Sequence, residues 1–255
     1  MNKIIKVYLQ LCIKVIWHKI IPFKLKSLLY MSPHGDMKNS DYAKKIFERH
    51  VKNLVKNPKG KLLEIGPGDS PLCAFHSIEY GFKEVLLIDN DSYFDEEIYE
   101  LKQKPIKYLC NGSLSLNEIK DHSIDHSFSH TVIQHIQKEE FDNFIKNLYR
   151  IMKIGSISSH HIDFKDMLFG RFDHLIVKSK IWESKIIKSC FFYTNRFRKS
   201  SIIQICQRAG FEVEILSEGI LENVSYDPSI LCQEFKKMSS EDLKCSGMHI
   251  VLRKI

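Results

Sequence analysis

Apolar and polar positions alternate in blocks along the chain, and the period of each block predicts its element. Ile46, Val51, Leu54 and Val55 fall on one helical face, so a helix is expected over 40–56. Asn57-Pro58-Lys59-Gly60 turns the chain. Lys61–Ile65 then reads as a short buried strand. Ser70 as cap and Pro71 in the first turn open a helix that Gly81 closes. Strands are expected at Glu84–Ile88, Pro105–Cys110 and Ser123–Phe128. Phe141, Phe144, Ile145, Leu148 and Met152 form a helical stripe, Gly155 stops it, and Ser156–Ile162 is a fifth strand. This alternation predicts an α/β fold with a parallel sheet covered on both faces. Residues 164–200, rich in Phe, Lys and Arg, break the rhythm and read as a cap inserted over the sheet's carboxyl edge. A helix over Ser200–Ala209 and strands at Phe211–Leu216 and Met248–Lys254 close the pattern. The expected organisation is N-terminal helices over 1–57 and one domain over 58–255.

The N-terminal segment adds a question of its own. Lys6, Gln10, Lys14 and His18 recur every four residues, a narrow polar stripe on an otherwise apolar helix. Two readings stay open: a helix packed on the domain with its lysines in solvent, or a helix in the membrane interface with lysines toward anionic headgroups. Lys6, Lys14 and Lys19 interrupt the apolar run before a membrane span is complete, and no small-residue cleavage site follows as a signal peptide requires. The net charge of +7 concentrates here: residues 1–30 carry six lysines and no acid, leaving +1 for the rest. A basic nucleic-acid-binding body is therefore not expected. Seven scattered cysteines, never spaced C-x-x-C, argue against a disulfide framework and a cysteine zinc site, and point to a cytoplasmic protein with reduced thiols.

Leu62-Leu63-Glu64-Ile65-Gly66-Pro67-Gly68-Asp69-Ser70 holds the main chemical signal: an apolar strand, an acid, a glycine turn and a helix start. Two glycines let the main chain approach a ligand where a side chain would clash. The following helix start offers free N–H groups. Asp89 ends the next strand, where such folds place an acid on ribose hydroxyls. The dinucleotide fingerprint G-x-G-x-x-G fails because its last position is Pro71, which disfavours an oxidoreductase. Glu64 before the glycines suits a cationic ligand better than a pyrophosphate.

"LLEIGPGDS" with "VLLIDND" resembles the first two motifs of class I S-adenosylmethionine-dependent methyltransferases, and on these segments the chain is similar to members of that family. "SIDHSFSHTVIQHI" (123–136) is similar to the family's fourth-strand pattern, and "LYRIMKIG" (148–155) to the helix and turn before its fifth strand. The pattern departs from the family at Ser70, at Ile154-Gly155-Ser156 and at Gln134. The resemblance implies a Rossmann-like, mostly parallel sheet with a closing antiparallel hairpin, and S-adenosylmethionine as cofactor. It implies that Glu64, Gly66, Pro67 and Gly68 line the methionine part, and that Asp89 with Asn90 holds the ribose. Asn111, with Ser113 as alternative, would lie by the adenine, and Ser129 and His130 near the sulfonium.

If the acceptor is a hydroxyl, a base near neutral pKa helps remove its proton, and His161, His130 and Asp163 are the catalytic candidates. An amine acceptor needs only to be neutral. His135 reads as structural, and His160-His161-x-Asp163 lacks a clear third ligand for a metal site, so no metal is expected. Tyr193, Asn195, Arg196 and Arg198 interleave aromatics with arginines and are expected to contact substrate through phosphate, carboxylate or sugar. With "SSHHIDFKD" this stretch resembles methyltransferases that accompany bacterial surface-polysaccharide synthesis. The expected activity is O-methylation of a small-molecule or glycan-type, anionic acceptor, at the inner membrane face if the N-terminal helix binds lipid. The alternatives are a methyltransferase for another metabolite or amine, and a non-catalytic interaction module.

Overall fold

Lys61–Ile65 (β1) lies between two parallel neighbours, Glu84–Ile88 (β2) and Ile124–His130 (β4), in the computed structural model. With Ile106–Leu109 (β3), Met152–Asp163 (β5), Phe211–Ile220 (β6) and Cys245–Lys254 (β7), the strand order is β3-β2-β1-β4-β5-β7-β6. Only β7 runs antiparallel, to both β5 and β6, so the sheet is the expected Rossmann-like one with its closing hairpin. Residues 2–20, 36–167, 171–222 and 227–255 are described by the structure. Pro22, Lys24, Lys26 and the Ser32–Gly35 turn signal lie outside them.

Alternate residues of each strand point to opposite faces. Leu62, Val85, Leu87 and Phe128 pack under Ser40–Phe47 (α2) and Leu72–Tyr80 (α3). Leu63, Ile65, Leu86 and Ile88 pack under Lys138–Ile151 (α4), together with the cap. Phe172, Leu175, Trp182 and Phe192 of the cap are fully buried in that same core. Lys199–Arg208 (α5) follows and is the expected helix to within a residue or two.

Three boundaries differ from expectation for physical reasons. The 40–56 helix stops being α-helical at Phe47 and continues as a π turn, Glu48–Lys52, which turns His50 and Val51 inward. Pro71, not Ser70, is the N-cap of α3, and Ser70 Oγ accepts from Leu72 N at 3.4 Å. Gly155 does not separate helix from strand, because β5 begins at Met152. The register jumps between the pairs Ile124↔Met152 and His126↔Ile157, so the glycine turn becomes a bulge with Gly155 at φ +78°.

Lys3–Ile20 (α1) buries Val7 and Leu11 against the cap. Its polar stripe partly faces inward: Lys14 Nζ donates to Met167 O at 2.9 Å and His18 Nε2 to Ser189 O at 3.1 Å. Ile5, Leu9, Ile13 and Ile16 are instead 50–58% exposed in one row. Among the described residues no helix is long and apolar enough to cross a membrane.

Candidate cofactor crevice and acceptor site

The strand order reverses between β1 and β4, and ligands of open α/β sheets bind at the carboxyl ends of the strands beside such a point. Gly66 leaves β1 there at φ +73°, its N–H donating to Ile88 O at 2.8 Å. A Cβ on it would stand 2.4 Å from Val132 Cγ2, so the turn and the segment after β4 approach only because the residue is glycine. Gly68, at φ +69°, donates its N–H to Asp89 Oδ2 at 3.3 Å, while Asn90 N donates to Oδ1 at 2.8 Å. Asp89, Asn90, Asn111 and Ser113 line a cavity of about 370 Å³ together with Gly66 and Gly112. Gly112 is fixed by sterics: a Cβ would meet Asn90 Oδ1 at 2.3 Å. A larger chamber, about 780 Å³, shares Gly66, Asp89, Val132 and His135 with it and extends to His130, Asp163 and the cap. Both volumes suit small ligands.

The electrostatics of this crevice favour a cation. Glu64 is buried below the turn, and its Oε2 has no partner. Burial, with Asp89 nearby, raises its carboxyl to about 8. Burial likewise raises Asp89 to about 6, against the hydrogen bonds from Asn90 and Gly68. A ligand with two ribose hydroxyls matches Asp89, which can still accept donors, and an ammonium at the turn would relieve the charge penalty on Glu64, which lies beneath the turn and lines neither cavity.

The other predicted residues divide. His130 and Asp163 border the wider chamber. His161 stacks behind His130, ring centroids 4.7 Å apart, with its Nδ1 buried and unpartnered. Ser129 points to the opposite face of the sheet, where its Oγ bonds His160 Nδ1 at 2.8 Å, because strand alternation places neighbours on opposite sides. Pro67 is buried within the turn. Tyr193 borders the chamber, but its hydroxyl donates to Glu183 at 2.8 Å.

The expectation of substrate contact by Asn195, Arg196 and Arg198 meets a different arrangement. Asn195 Nδ2 donates to the carbonyls of Ile133 and Ile136. Arg196 donates to Val177 O at 2.7 Å, His174 O at 3.1 Å and Glu234 Oε1 at 2.6 Å. Arg198, wholly buried, donates to Phe164 O, Asp242 O and Cys245 O between Phe164 and Phe172. These side chains tie the cap to the segment after β4, to Glu234 and to the start of β7, and none of them lines either cavity.

Sequence reasoning missed other residues at the site. His135 borders both cavities and donates from Nδ1 to Tyr193 O at 2.7 Å. Thr131 lines the chamber at φ +57°, a conformation with no sequence signal in a threonine. His18 and Lys188 approach from α1 and the cap, elements distant in sequence. Among the described residues no group of three or more His, Cys, Asp or Glu side chains is placed to hold a metal ion.

A family profile described as "Methyltransferase domain" matches residues 63–158, the span from Leu63 in the first strand through the fourth strand and into the fifth. No curated protein matches the chain. Among solved structures, phosphoethanolamine N-methyltransferase 2 of Haemonchus contortus, in complex with S-adenosyl-L-methionine, is similar with a TM-score of 0.58 at 15% identity, over 94% of this chain and 59% of that one. A protein of Pyrococcus horikoshii gives 0.56 at 14% identity, over 90% and 99%. A SAM-dependent methyltransferase of Methanosarcina mazei gives 0.54 at 15%, over 80% and 96%. The chain spans about three-fifths of the nematode protein, and at these identities the likeness is one of fold. With the profile match across the glycine turn and the crevice it builds, the chain carries a class I S-adenosylmethionine-dependent methyltransferase domain.

Proposed function

We propose that this domain transfers a methyl group to a hydroxyl of a small-molecule or glycan-type, anionic acceptor of the sort used in surface-polysaccharide synthesis. The observation that supports this reading is the continuity of the crevice: the cavity at Gly66 and Asp89 opens into the chamber bordered by His130 and Asp163. S-adenosylmethionine, when bound, supplies an activated methyl on a sulfonium. Glu64, Gly66, Pro67 and Gly68 would then form the methionine end, Asp89 and Asn90 the ribose site, and Asn111 or Ser113 the adenine side. His130 or Asp163 would face the acceptor, with His161 supporting His130. Lys165, paired with Asp163, and Lys188, paired with Glu139 and Glu183, line the chamber and would turn to an anionic acceptor as its counter-charge. The 164–200 insertion would serve as the acceptor lid.

S-adenosylhomocysteine at a hundredfold excess over its Kd should raise the melting temperature by several degrees, since such an excess contributes about 2.7 kcal/mol. No shift would reject the cofactor reading.

We further read the domain as cytoplasmic and peripheral at the inner membrane face. The exposed row Ile5, Leu9, Ile13 and Ile16, flanked by exposed Lys6 and Lys19 on a helix without acids, has the form of an interfacial helix. Deleting residues 1–20 should abolish co-sedimentation with anionic liposomes. Retained binding would remove this reading.

A further inference from the structure

The sheet face under α2 carries a row of histidines that the cofactor site does not use. His130 on β4, His161 on β5 and His249 on β7 stand side by side in register. The π turn lays His50 across them, stacked on Phe128. His50 Nε2 lies 3.0 Å from His130 Nδ1, and His50 Nδ1 lies 2.8 Å from Ser159 Oγ. Ser159 Oγ in turn lies 2.8 Å from His249 Nε2. One end of this chain, His130, borders the acceptor chamber. The other, His249, borders a separate surface depression with Lys45, Glu48 and Arg49.

We propose that His130, His50, Ser159 and His249 form a proton relay that draws the acceptor's hydroxyl proton off during methyl transfer by discharging another into the opposite opening. The inference rests on the hydroxyl-acceptor reading. The bond order is self-consistent. With every ring carrying its proton on Nδ1, His130 donates to His50, His50 to Ser159, and the Ser159 hydroxyl to His249, which leaves His130 Nε2 as the acceptor in the chamber. When the acceptor oxygen gains the methyl group, its O–H bond breaks and the proton joins His130 Nε2. The Nδ1 proton of His130 passes to His50 Nε2, that of His50 to Ser159 Oγ, and the serine proton to His249 Nε2. The Nδ1 proton of His249 leaves to water in the depression. One proton enters and one leaves, and every ring ends with its proton on Nε2. After product release the shift runs in reverse, His249 taking a proton from the depression and His130 Nε2 yielding one to chamber water, so the relay draws the proton off during transfer and moves no net proton across the fold.

Moving the proton through without storing it matches the surroundings. Burial, with the neighbouring His161 and the Arg49 cation, lowers His130 to about 3. His249 is lowered to about 4 by burial, His161 and Arg49, and His50 well below its ordinary value by burial and the surrounding histidines. Asp163 and Lys165 act with opposite sign on His161. A standing imidazolium is therefore disfavoured, whereas a concerted shift leaves each ring neutral. A second buried system on the other face behaves differently. His160 is bonded at both nitrogens, to Ser129 and Ser158, and none of the three lines the chamber or the depression.

The test uses the full-length protein, ¹⁵N-labelled and saturated with S-adenosylhomocysteine, with ring tautomers read by long-range ¹H–¹⁵N correlation at pH 7. The relay requires His50, His130 and His249 to share one tautomer population. Ser159→Ala should release His249 from the other two while leaving cofactor affinity unchanged. A mixed tautomer set, or a His249 population unmoved by Ser159→Ala, overturns the relay. Transfer of labelled methyl groups into cell-envelope glycan fractions separates relay from scaffold. His249→Gln should lower turnover by roughly 10²-fold with the KM for S-adenosylmethionine unchanged, and added imidazole should restore His249→Ala. Unaltered turnover in both variants also overturns it. Failure of the unaltered protein to bind S-adenosylhomocysteine rejects the cofactor reading, and failure to label any glycan rejects the acceptor class.

Discussion

Two polar regions of this domain look alike in sequence and differ in what their atoms do. The stretch 193–198 places arginines among aromatics, a composition suited to an anionic ligand. Its guanidinium groups nevertheless donate to carbonyls and Glu234 inside the protein, and the one nitrogen left over, Arg196 Nε, is buried away from both cavities. The stretch 64–69 with Asp89 has fewer charges, yet Glu64 keeps an unpartnered buried oxygen and Asp89 faces an open cavity. Polar capacity left over beside an open cavity, rather than residue type, marks where a ligand belongs.

The sharpest way to break this contrast is to remove one member of each region. Arg198→Ala would leave several buried carbonyls unpaired and a void between Phe164 and Phe172, costing on the order of 4 kcal/mol in urea unfolding or preventing folding altogether. Arg198→Lys should recover little, because one ammonium cannot replace the planar fork. A loss under about 1 kcal/mol would return Arg198 to the substrate candidates. Asp89→Ala should do the reverse. Loss of hydrogen bonds to a charged group should weaken S-adenosylhomocysteine by about 1.5–3 kcal/mol in calorimetry. The ligand-free protein should melt no lower at neutral pH. The sign follows from the carboxyl's rise to about 6: ionisation costs the folded state stability as pH climbs through that value, and removing the group removes the cost. Unchanged affinity would contradict the ribose assignment.

The smallest effect is a proton count. Glu64, held up to about 8, is mostly protonated at pH 7 in the free protein. A ligand ammonium favours the carboxylate and lowers that value, so binding should release up to about one proton near pH 7. Calorimetry in buffers of different ionisation enthalpy measures the release, and Glu64→Gln should abolish it. Release that persists in the variant assigns the titration to another group.

The sequence showed the sheet well and the site in part. Strands β1 and β2 lie where their apolar runs predict, and Gly66, Gly68 and Asp89 could be read because a glycine turn between strand and helix has few physical uses. The resemblance implies Ser129 near the sulfonium, but a strand-end motif does not fix which neighbour points out, and Ser129 turns to His160. The arginines misled because a guanidinium that stitches main chain and one that grips a ligand have the same one-dimensional signature. His50, Ser159 and His249 gave no signal, since 109 and 90 residues separate the partners of their hydrogen bonds.

The π turn at Glu48–Lys52 carries a consequence for sequence comparison. An α-helix advances about 100° per residue, and a widened turn accommodates one residue more than the regular helix would. Excising a single residue there would let the helix rewind and swing the imidazole of His50 off Phe128, bringing an adjacent side chain into its place. Gap placement in this short stretch, more than amino-acid identity, would therefore distinguish chains that keep the contact between His50 and His130 from those that lack it.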